Sequence, residues 1–310
     1  MNNSNSQVLP ATFKLKTGDN ANAFYDIHPG SLGKYQVMFT MDDVQRWTGI
    51  YEDNFPWMPN QDSKLSNVAP PSIFYYPSMN ILEPIRYFGE KPGEENPRET
   101  GPGGLARMWM ELHGPIPLDK VIDIDAQVTD KYQRRGIGYT EWGLDAFVDG
   151  ELIHRHRKAW ATTINKDELS KWPERSSSQR PPELNDDSKI FGPINYHTSQ
   201  EHVDDLEGPG EINNHTDVEA ALANGDPGPR AQGALAFGLL SRLMCEQFGD
   251  DFYRSGTLDI KFVNTVFAGD QQSANGAFVH KENDRDIYRV WSENQSNALT
   301  AIGTASIKTD

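Results

Sequence analysis

The strongest constraint on the fold is a dense run of apolar residues at 233–248, GALAFGLLSRLMCEQF. Drawn as a helix, this run has apolar side chains on nearly every face and leaves no wide polar stripe. Gln232 and Gly233 mark its expected start, and Gly249 marks its expected end. A helix of this kind is stable only when other elements surround it, so the sequence predicts a central, buried helix.

A polar cluster and a shorter helix precede the buried one. Thr216 and Glu219 have the spacing of a capping box, which predicts a helix that begins at Thr216 and ends near Gly225. His215 stands directly before that start. A Gly/Pro elbow at 226–229 then leads to the buried helix. The sequence therefore brings a histidine and two helix starts into one short stretch.

Strand patterns follow helix patterns in both halves of the chain. They fall at 105–112, 121–129, 137–148 and 152–164, and again at 256–263, 272–280, 286–294 and 298–307. Asp149 and Gly150 form a hairpin turn signal between the last two strands of the first half. Helices followed by antiparallel strands predict an α+β fold.

The two halves also resemble each other, which indicates a duplication. Residues 40–57 and 198–215 have equal lengths, and each opens with a threonine-capped helix pattern. Residues 166–190 are charged, rich in Ser and Pro, and aperiodic, as in a linker. We therefore predict domains at 1–165 and 191–310, with 166–190 as the linker between them.

Composition excludes several classes of function. The formal charge of −16 argues against a surface that binds nucleic acid. No run is long enough to span a membrane, and the N-terminus has no apolar signal core, so we expect a cytoplasmic protein. The single cysteine, Cys245, forbids an internal disulfide. No metal-ligand spacing or phosphate-binding loop is present, so we expect no metal and no cofactor.

The second half resembles the MaoC-like (R)-specific enoyl-CoA hydratases of the hotdog fold. The residues that carry the resemblance are Asn213, His215 and Asp217, the run Ala221 to Gly225, AQG at 231–233, FVNTVFAGD at 262–270, and Gly303 with Ala305. The first half is similar to the dehydratase domain of two-domain members through GPIPLDKV, TDKYQRRG and DGELIHRHRKAW. The resemblance implies a double hotdog, in which each half is a long helix wrapped by an antiparallel sheet. It also implies an acyl-CoA substrate, and we expect a homodimer of such chains.

The implied reaction adds water across a 2-enoyl thioester and also runs in reverse. It needs a group that exchanges protons, a group that orients water, and donors for the thioester oxygen. By the resemblance, His215 is the base and acid, and the backbone N–H of Gly233 is the donor. The family places an Asp five residues before its His, where this chain has Gly210. Glu211 is the nearest replacement.

Other polar residues near His215 are candidates with open roles. If Glu211 does not act, Asn213 or Asn214 positions the water instead. Asp217 either orients the imidazole or stabilises the helix start by its charge. Gln232, which stands where many relatives have His, is a candidate polar contact with the substrate.

The first half is predicted to bind rather than to catalyse. Trp57 falls where this half needs its histidine, and an indole exchanges no proton. Trp57 and Tyr75 are candidates for lining an acyl pocket, although aromatic residues also form plain core. Arg134 and Arg135 are candidates for binding the phosphates of coenzyme A, or belong to a solvated face.

Two other functions fit the same sequence. A hotdog thioesterase also uses a carboxylate and an N–H at a helix start, and it releases a free thiol. A non-catalytic acyl-CoA-binding subunit of a hetero-oligomeric hydratase is the second alternative, because the expected Asp is missing at Gly210.

Overall fold

A computed structural model describes residues 8–10, 28–51, 67–80, 103–163, 166–176, 180–185, 187–207, 210 and 212–309. The elements in chain order are β1 (Val8–Pro10), β2 (Gly30–Met38), α1 (Met41–Ile50), β3 (Val68–Ala69), a 3₁₀ turn (Pro71–Phe74), α2 (Tyr75–Asn80), β4 (Gly104–Leu112), β5 (Ile116–Pro117), β6 (Ile122–Arg134), β7 (Ile137–Val148), β8 (Glu151–Thr162), α3 (Lys166–Leu169), β9 (Ile190–His197), α4 (Gln200–Glu207), α5 (Val218–Ala223), α6 (Gly233–Phe248), α7 (Asp250–Ser255), β10 (Thr257–Phe262), β11 (Gln271–Glu282), β12 (Arg285–Asn294) and β13 (Leu299–Lys308). No helix in this described part of the chain is both long enough and apolar enough to cross a bilayer.

The chain divides into two compact units. The first comprises Met1–Thr40 and Phe74–Arg180, and the second comprises Met41–Ile73 and Pro181–Asp310. Residues 41–73 therefore group with the second unit, whereas the predicted N-terminal domain, 1–165, included them. A grouping of this kind depends on long-range packing, which local sequence patterns do not encode.

Both units have the same strand order. In the first unit the neighbours run β2-β6-β7-β8-β4, and in the second they run β9-β11-β12-β13-β10. All of these neighbouring pairs are antiparallel. If these five strands in each unit are numbered along the chain, with β1, β3 and β5 left out, both orders read first, third, fourth, fifth, second. The shared order supports the predicted duplication, and the α+β fold class is confirmed.

Strand boundaries follow the predicted periodicity closely. β7 has the predicted bounds, and the hairpin turn after it has the expected left-handed backbone, with φ of 52° at Asp149 and 84° at Gly150. β6 extends five residues beyond its predicted end, to Arg134. The extension, DKYQR, contains only one aromatic and no aliphatic residue, so alternation of apolar residues did not reveal it.

The buried helix forms as predicted, and small residues let a neighbour approach it. Its side chains Leu235, Phe237 and Leu239 are almost inaccessible to solvent. The hydroxyl of Tyr51 donates a 2.8 Å hydrogen bond to the carbonyl of Ala234. The ring of Tyr51 then lies where a side chain at position 238 would stand. Glycine at position 238 is therefore a requirement of packing.

The substitution Gly238→Ala is expected to reduce the free energy of unfolding by about 1–3 kcal/mol, the range for overpacking a close-packed core. An added methyl group would overlap the ring and hydroxyl of Tyr51. Urea unfolding followed by circular dichroism measures the change. Gly49→Ala is the matched control, because Gly49 lies in α1 with no heavy atom within 4 Å of an added Cβ. There alanine is expected to be neutral or stabilising by up to about 1 kcal/mol. An equal loss in both variants would contradict the packing argument.

The helix α5 begins at Val218, two residues after its predicted start, and its capping residue differs from the predicted one by one position. The capping residue is Asp217, whose Oδ1 accepts a 2.8 Å hydrogen bond from the N–H of Ala220. Thr216 does not cap the helix, because its hydroxyl oxygen accepts the N–H of Asn213 at 3.1 Å. The predicted capping box is therefore wrong. The side chain of the next residue, Asp217, accepts the capping hydrogen bond instead.

The first part of the predicted linker is packed structure. The backbone N–H of Gln133 donates to the carbonyl of Pro173 at 2.9 Å, and its side-chain amide donates to the carbonyls of Leu169 and Trp172 at 3.0 Å. The ring of Trp172 lies 4.1 Å from the ammonium of Lys131. Residues 166–176 therefore cover β6. Periodicity did not reveal them, because α3 is only four residues long.

Candidate active site

The loop between α4 and α5 holds His215 in a fixed backbone position. Asn213 Oδ1 accepts a 2.8 Å hydrogen bond from the N–H of His215. The side chain of Gln200 donates to the carbonyl of His215 at 2.9 Å. The imidazole is a quarter exposed. A partly accessible histidine on a well-anchored loop can meet both solvent and a ligand.

The protonation of the His215 ring follows from its one backbone partner. Nδ1 lies 2.7 Å from the carbonyl oxygen of Arg230. A carbonyl oxygen only accepts, so Nδ1 must carry a hydrogen and donate it. In the neutral ring Nε2 is then the acceptor. His215 therefore presents a basic nitrogen.

The segment that supplies this carbonyl is itself held on both sides. The N–H of Arg230 donates to the carbonyl of Asn214 at 3.0 Å, and its guanidinium pairs with Asp226. The N–H of Ala231 donates to the carbonyl of Val266 at 2.8 Å. The orientation of the imidazole thus depends on a strand-like segment that leads directly into α6.

A carboxylate faces the basic nitrogen of His215, and sequence reasoning missed it. Glu207, the last residue of α4, places Oε1 3.9 Å from His215 Nε2, and its side chain is only 7% exposed. Its Oε2 accepts a 3.1 Å hydrogen bond from Asn213 Nδ2. Its Oε1 accepts a 3.0 Å hydrogen bond from Gln232 Nε2. The buried carboxylate is therefore held by two side-chain amides and aimed at the imidazole.

Glu207 stands eight residues before His215, whereas the resemblance directed attention five residues before it, to Gly210. Glu211, the predicted replacement, lies outside the described residues. The available signal was a carboxylate at the end of an amphipathic helix pattern, followed by Gly-Pro-Gly at 208–210.

The start of α6 completes the site. Its N-cap residue, Gln232, makes no side-chain capping hydrogen bond to the first amides of the helix. The N–H of Gly233 is the first of these amides, at the positive end of the helix dipole. Because Gln232 also contacts Glu207, the helix start and the Glu207–His215 pair are adjacent.

Two further candidates near His215 have structural partners. Asp217 caps α5, while the imidazole is oriented by the carbonyl of Arg230 instead. Asn214 accepts the N–H of Arg230 through its backbone carbonyl. Direct roles of these two side chains toward a substrate stay predictions.

The remaining candidates belong to the first unit or lie outside the described residues. The ring of Tyr75 lies 3.9 Å from the ammonium of Lys158. The guanidinium of Arg134 stacks over Tyr139 at 4.9 Å. Arg135 is exposed in the turn between β6 and β7, with φ of 52°. Trp57 lies outside the described residues.

No described group of three or more His, Cys, Asp and Glu side chains is arranged to hold a metal ion. The described site thus consists of one imidazole, one carboxylate, two amide side chains and a helix start. This set can bind and activate a water molecule and stabilise a developing negative charge on oxygen.

Comparison with known proteins gives matches in structure alone. No protein-family model and no curated protein sequence matches the chain. A solved MaoC-like dehydratase is 16% identical with a TM-score of 0.67, over 89% of this chain and 98% of the other. A MaoC-like dehydratase from Phytophthora capsici is 15% identical with a TM-score of 0.65, over 94% and 98%. A conserved hypothetical protein from Mycobacterium tuberculosis, described as a double hotdog, is 9% identical with a TM-score of 0.57, over 92% and 98%.

At sequence identities of 9–16%, the structural similarity establishes the fold alone. The chain has a double hotdog fold, and its structural neighbours include MaoC-like dehydratases. The fold expected from the sequence resemblance is therefore confirmed.

Proposed function

We propose that this protein is a hydro-lyase that hydrates 2-enoyl-CoA thioesters and dehydrates 3-hydroxyacyl-CoA thioesters. The observation that carries the proposal is the pairing of His215 Nε2 with the buried carboxylate of Glu207 at 3.9 Å, beside the start of α6. The similarity in fold to MaoC-like dehydratases supports the same reaction class.

The gap between the two groups suits one water molecule. A distance of 3.9 Å exceeds a direct hydrogen bond, but an oxygen placed beside both atoms can lie about 2.8 Å from each. Both Nε2 and Oε1 are acceptors, so the water donates one hydrogen to each of them. Its lone pair is then free to point at an electrophilic carbon.

The residues of this site account for every proton that moves in the reaction. As the water oxygen bonds to the β-carbon, His215 Nε2 takes one proton, and Glu207 stabilises the imidazolium that forms. The π-electrons of the double bond move toward the thioester oxygen, where the N–H of Gly233 and the helix dipole stabilise the negative charge. The imidazolium then returns its proton to the α-carbon. One water is added, and dehydration follows the reverse path.

The proposal keeps the predicted binding roles of four further residues. Tyr75 and Trp57 are proposed to line the pocket for the acyl chain, and Arg134 and Arg135 to bind the phosphates of coenzyme A. The exposure of Arg135 supports an accessible cation there. A homodimer in the cytoplasm stays a prediction.

Incubating the purified protein with crotonyl-CoA and longer 2-enoyl-CoA esters is expected to give 3-hydroxyacyl-CoA, detected by mass spectrometry, without release of free thiol. Saturated acyl-CoA esters of the same lengths are the control, and they should remain intact. Thiol release in proportion to substrate loss would identify a thioesterase instead. Tight binding of the enoyl esters without turnover, in an otherwise folded protein, would favour the non-catalytic subunit.

A further inference from the structure

The side-chain amide of Gln232 has only one possible orientation. Its nitrogen donates to the backbone carbonyl of Val203 and to Glu207 Oε1, both at 3.0 Å. The Val203 carbonyl accepts and never donates, so the amide nitrogen faces it whatever the charge on Glu207. A flipped amide would place its oxygen against a carbonyl oxygen and a carboxylate oxygen at once. Gln232 therefore always presents a donor to Glu207.

Both oxygens of Glu207 accept an amide hydrogen, because Asn213 Nδ2 donates to the second one at 3.1 Å. Hydrogen bonds donated to a carboxylate favour its ionised form over the acid. The protonated acid would also have to place its own hydrogen beside two N–H donors. The two amides thus select the ionised state at a position that burial alone would make costly.

The observed orientation of the Gln232 amide has a cost in free energy, which arises from its oxygen atom. Its Oε1 is buried and has no hydrogen-bond donor among the described residues. A buried polar atom without a partner costs about 1–3 kcal/mol, and native structures keep few of them. The contacts of the amide nitrogen outweigh that cost here.

We propose that Gln232 is a positioning residue that holds Glu207 ionised and aimed at His215. This inference rests on the proposed function. His215 is the titratable group that faces Glu207 from the neighbouring loop. Asp204 and Asp205 lie on the exposed side of the same helix as Glu207, and Arg230, beyond the imidazole, pairs with Asp226.

The variant Gln232→Met keeps the length of the side chain and removes both donors. We expect the midpoint for protonation of the Glu207 carboxylate to rise by about one pH unit, since one unit corresponds to about 1.4 kcal/mol of lost preference for the carboxylate. We expect kcat for hydration of crotonyl-CoA at pH 7 to fall with little change in KM, because Glu207 is then less well aimed at His215. In the variant Gln232→Glu, a second carboxyl group competes for the same proton, and the midpoint should rise further.

Ser241→Ala is the matched control, because Ser241 is a buried polar residue of the same helix and lies two turns further along. Its kcat and its Glu207 midpoint should coincide with those of the wild type. Wild-type values of both quantities in Gln232→Met and Gln232→Glu would overturn the inference and leave the proposed function standing.

A second measurement distinguishes the role of Gln232 from the proposed hydration activity if the wild type hydrates no enoyl ester. The carboxyl ¹³C resonance of Glu207, assigned by its loss in Glu207→Gln, reports the same titration without any turnover. Gln232→Met should raise its midpoint by about one unit. An unchanged midpoint would overturn the inference, whereas a raised midpoint in an inactive protein would support it and refute only the proposed reaction.

Discussion

The substitution Glu207→Gln is expected to lower kcat/KM for hydration of crotonyl-CoA by about 10³-fold, with the fold retained. An amide carries no charge to stabilise the imidazolium of His215. Its NH₂ group would also meet the amide nitrogen of Gln232 or Asn213, which now donate to the carboxylate. The site would therefore lose both its charge and its geometry. Initial rates at pH 7, with circular dichroism to check folding, measure the effect.

His215→Asn is expected to lose activity to a similar extent, because it removes the nitrogen that takes the proton. The double variant should be no slower than the worse of the two single variants, since both residues act on one water molecule and their effects do not add. Independent contributions would instead multiply, to about 10⁶-fold. The double variant therefore tests whether the two side chains form one catalytic unit.

Glu201→Gln is the matched control for Glu207→Gln. It makes the same chemical change on an exposed side of the same helix, and activity should stay within about twofold. Full activity in Glu207→Gln with loss in His215→Asn would make the carboxylate structural. Full activity in both single variants would remove this site altogether.

The parts of the site that were predictable are those that lie close together in sequence. Asn213 and His215 form a local turn, and Gly233 begins a helix that its own composition predicts. Glu207 and Gln232 are different, because they are 25 residues apart and meet only where the end of α4 approaches the start of α6. No local periodicity encodes that approach. The resemblance directed attention to position 210, whereas the carboxylate beside the imidazole is that of Glu207.

The fold shows the same division between local and long-range information. Strands and the buried helix follow from apolar spacing, which decides which face is covered. The grouping of residues 41–73 with the second unit does not follow from spacing, since an amphipathic helix such as α1 can cover any apolar surface of suitable shape. Residues 166–176 were missed for a related reason. Gln133 holds them by hydrogen bonds to their carbonyl groups, which carry no sequence signature.

Lowering the pH from 6.5 to 5 is expected to destabilise the protein steeply, because β8 buries two neutral histidines in the first unit. His154 and His156 are inaccessible to solvent. The ring of His154 stacks on Phe74 at 4.4 Å between ring centres, and on His156 at 6.0 Å. Burial, assisted by the positive charges of His113 and Arg157, lowers the pKa of His154 to about 3.

The pKa of His156 is also lowered well below its ordinary value, by burial first and then by electrostatic interaction with Lys158, His154 and Arg157. In the unfolded chain both imidazoles titrate near 6.5, so below that pH the unfolded state binds more protons than the folded state. The stabilisation is complete above pH 6.5 and is lost as the pH falls toward the folded pKa values. Each histidine contributes a slope that approaches about 1.4 kcal/mol per pH unit.

Urea unfolding between pH 7 and pH 5 measures this slope, in a range where most carboxylates remain ionised in both states. The double variant His154→Leu/His156→Leu takes up no protons at these positions, so its free energy of unfolding should vary much less with pH. His280→Gln is the control, since His280 is exposed and should leave the slope unchanged. A double variant with the wild-type slope would mean that the acid sensitivity originates elsewhere. It would also mean that the two rings take up protons in the folded protein, which their complete burial opposes, because a charged imidazolium there would lose its hydration.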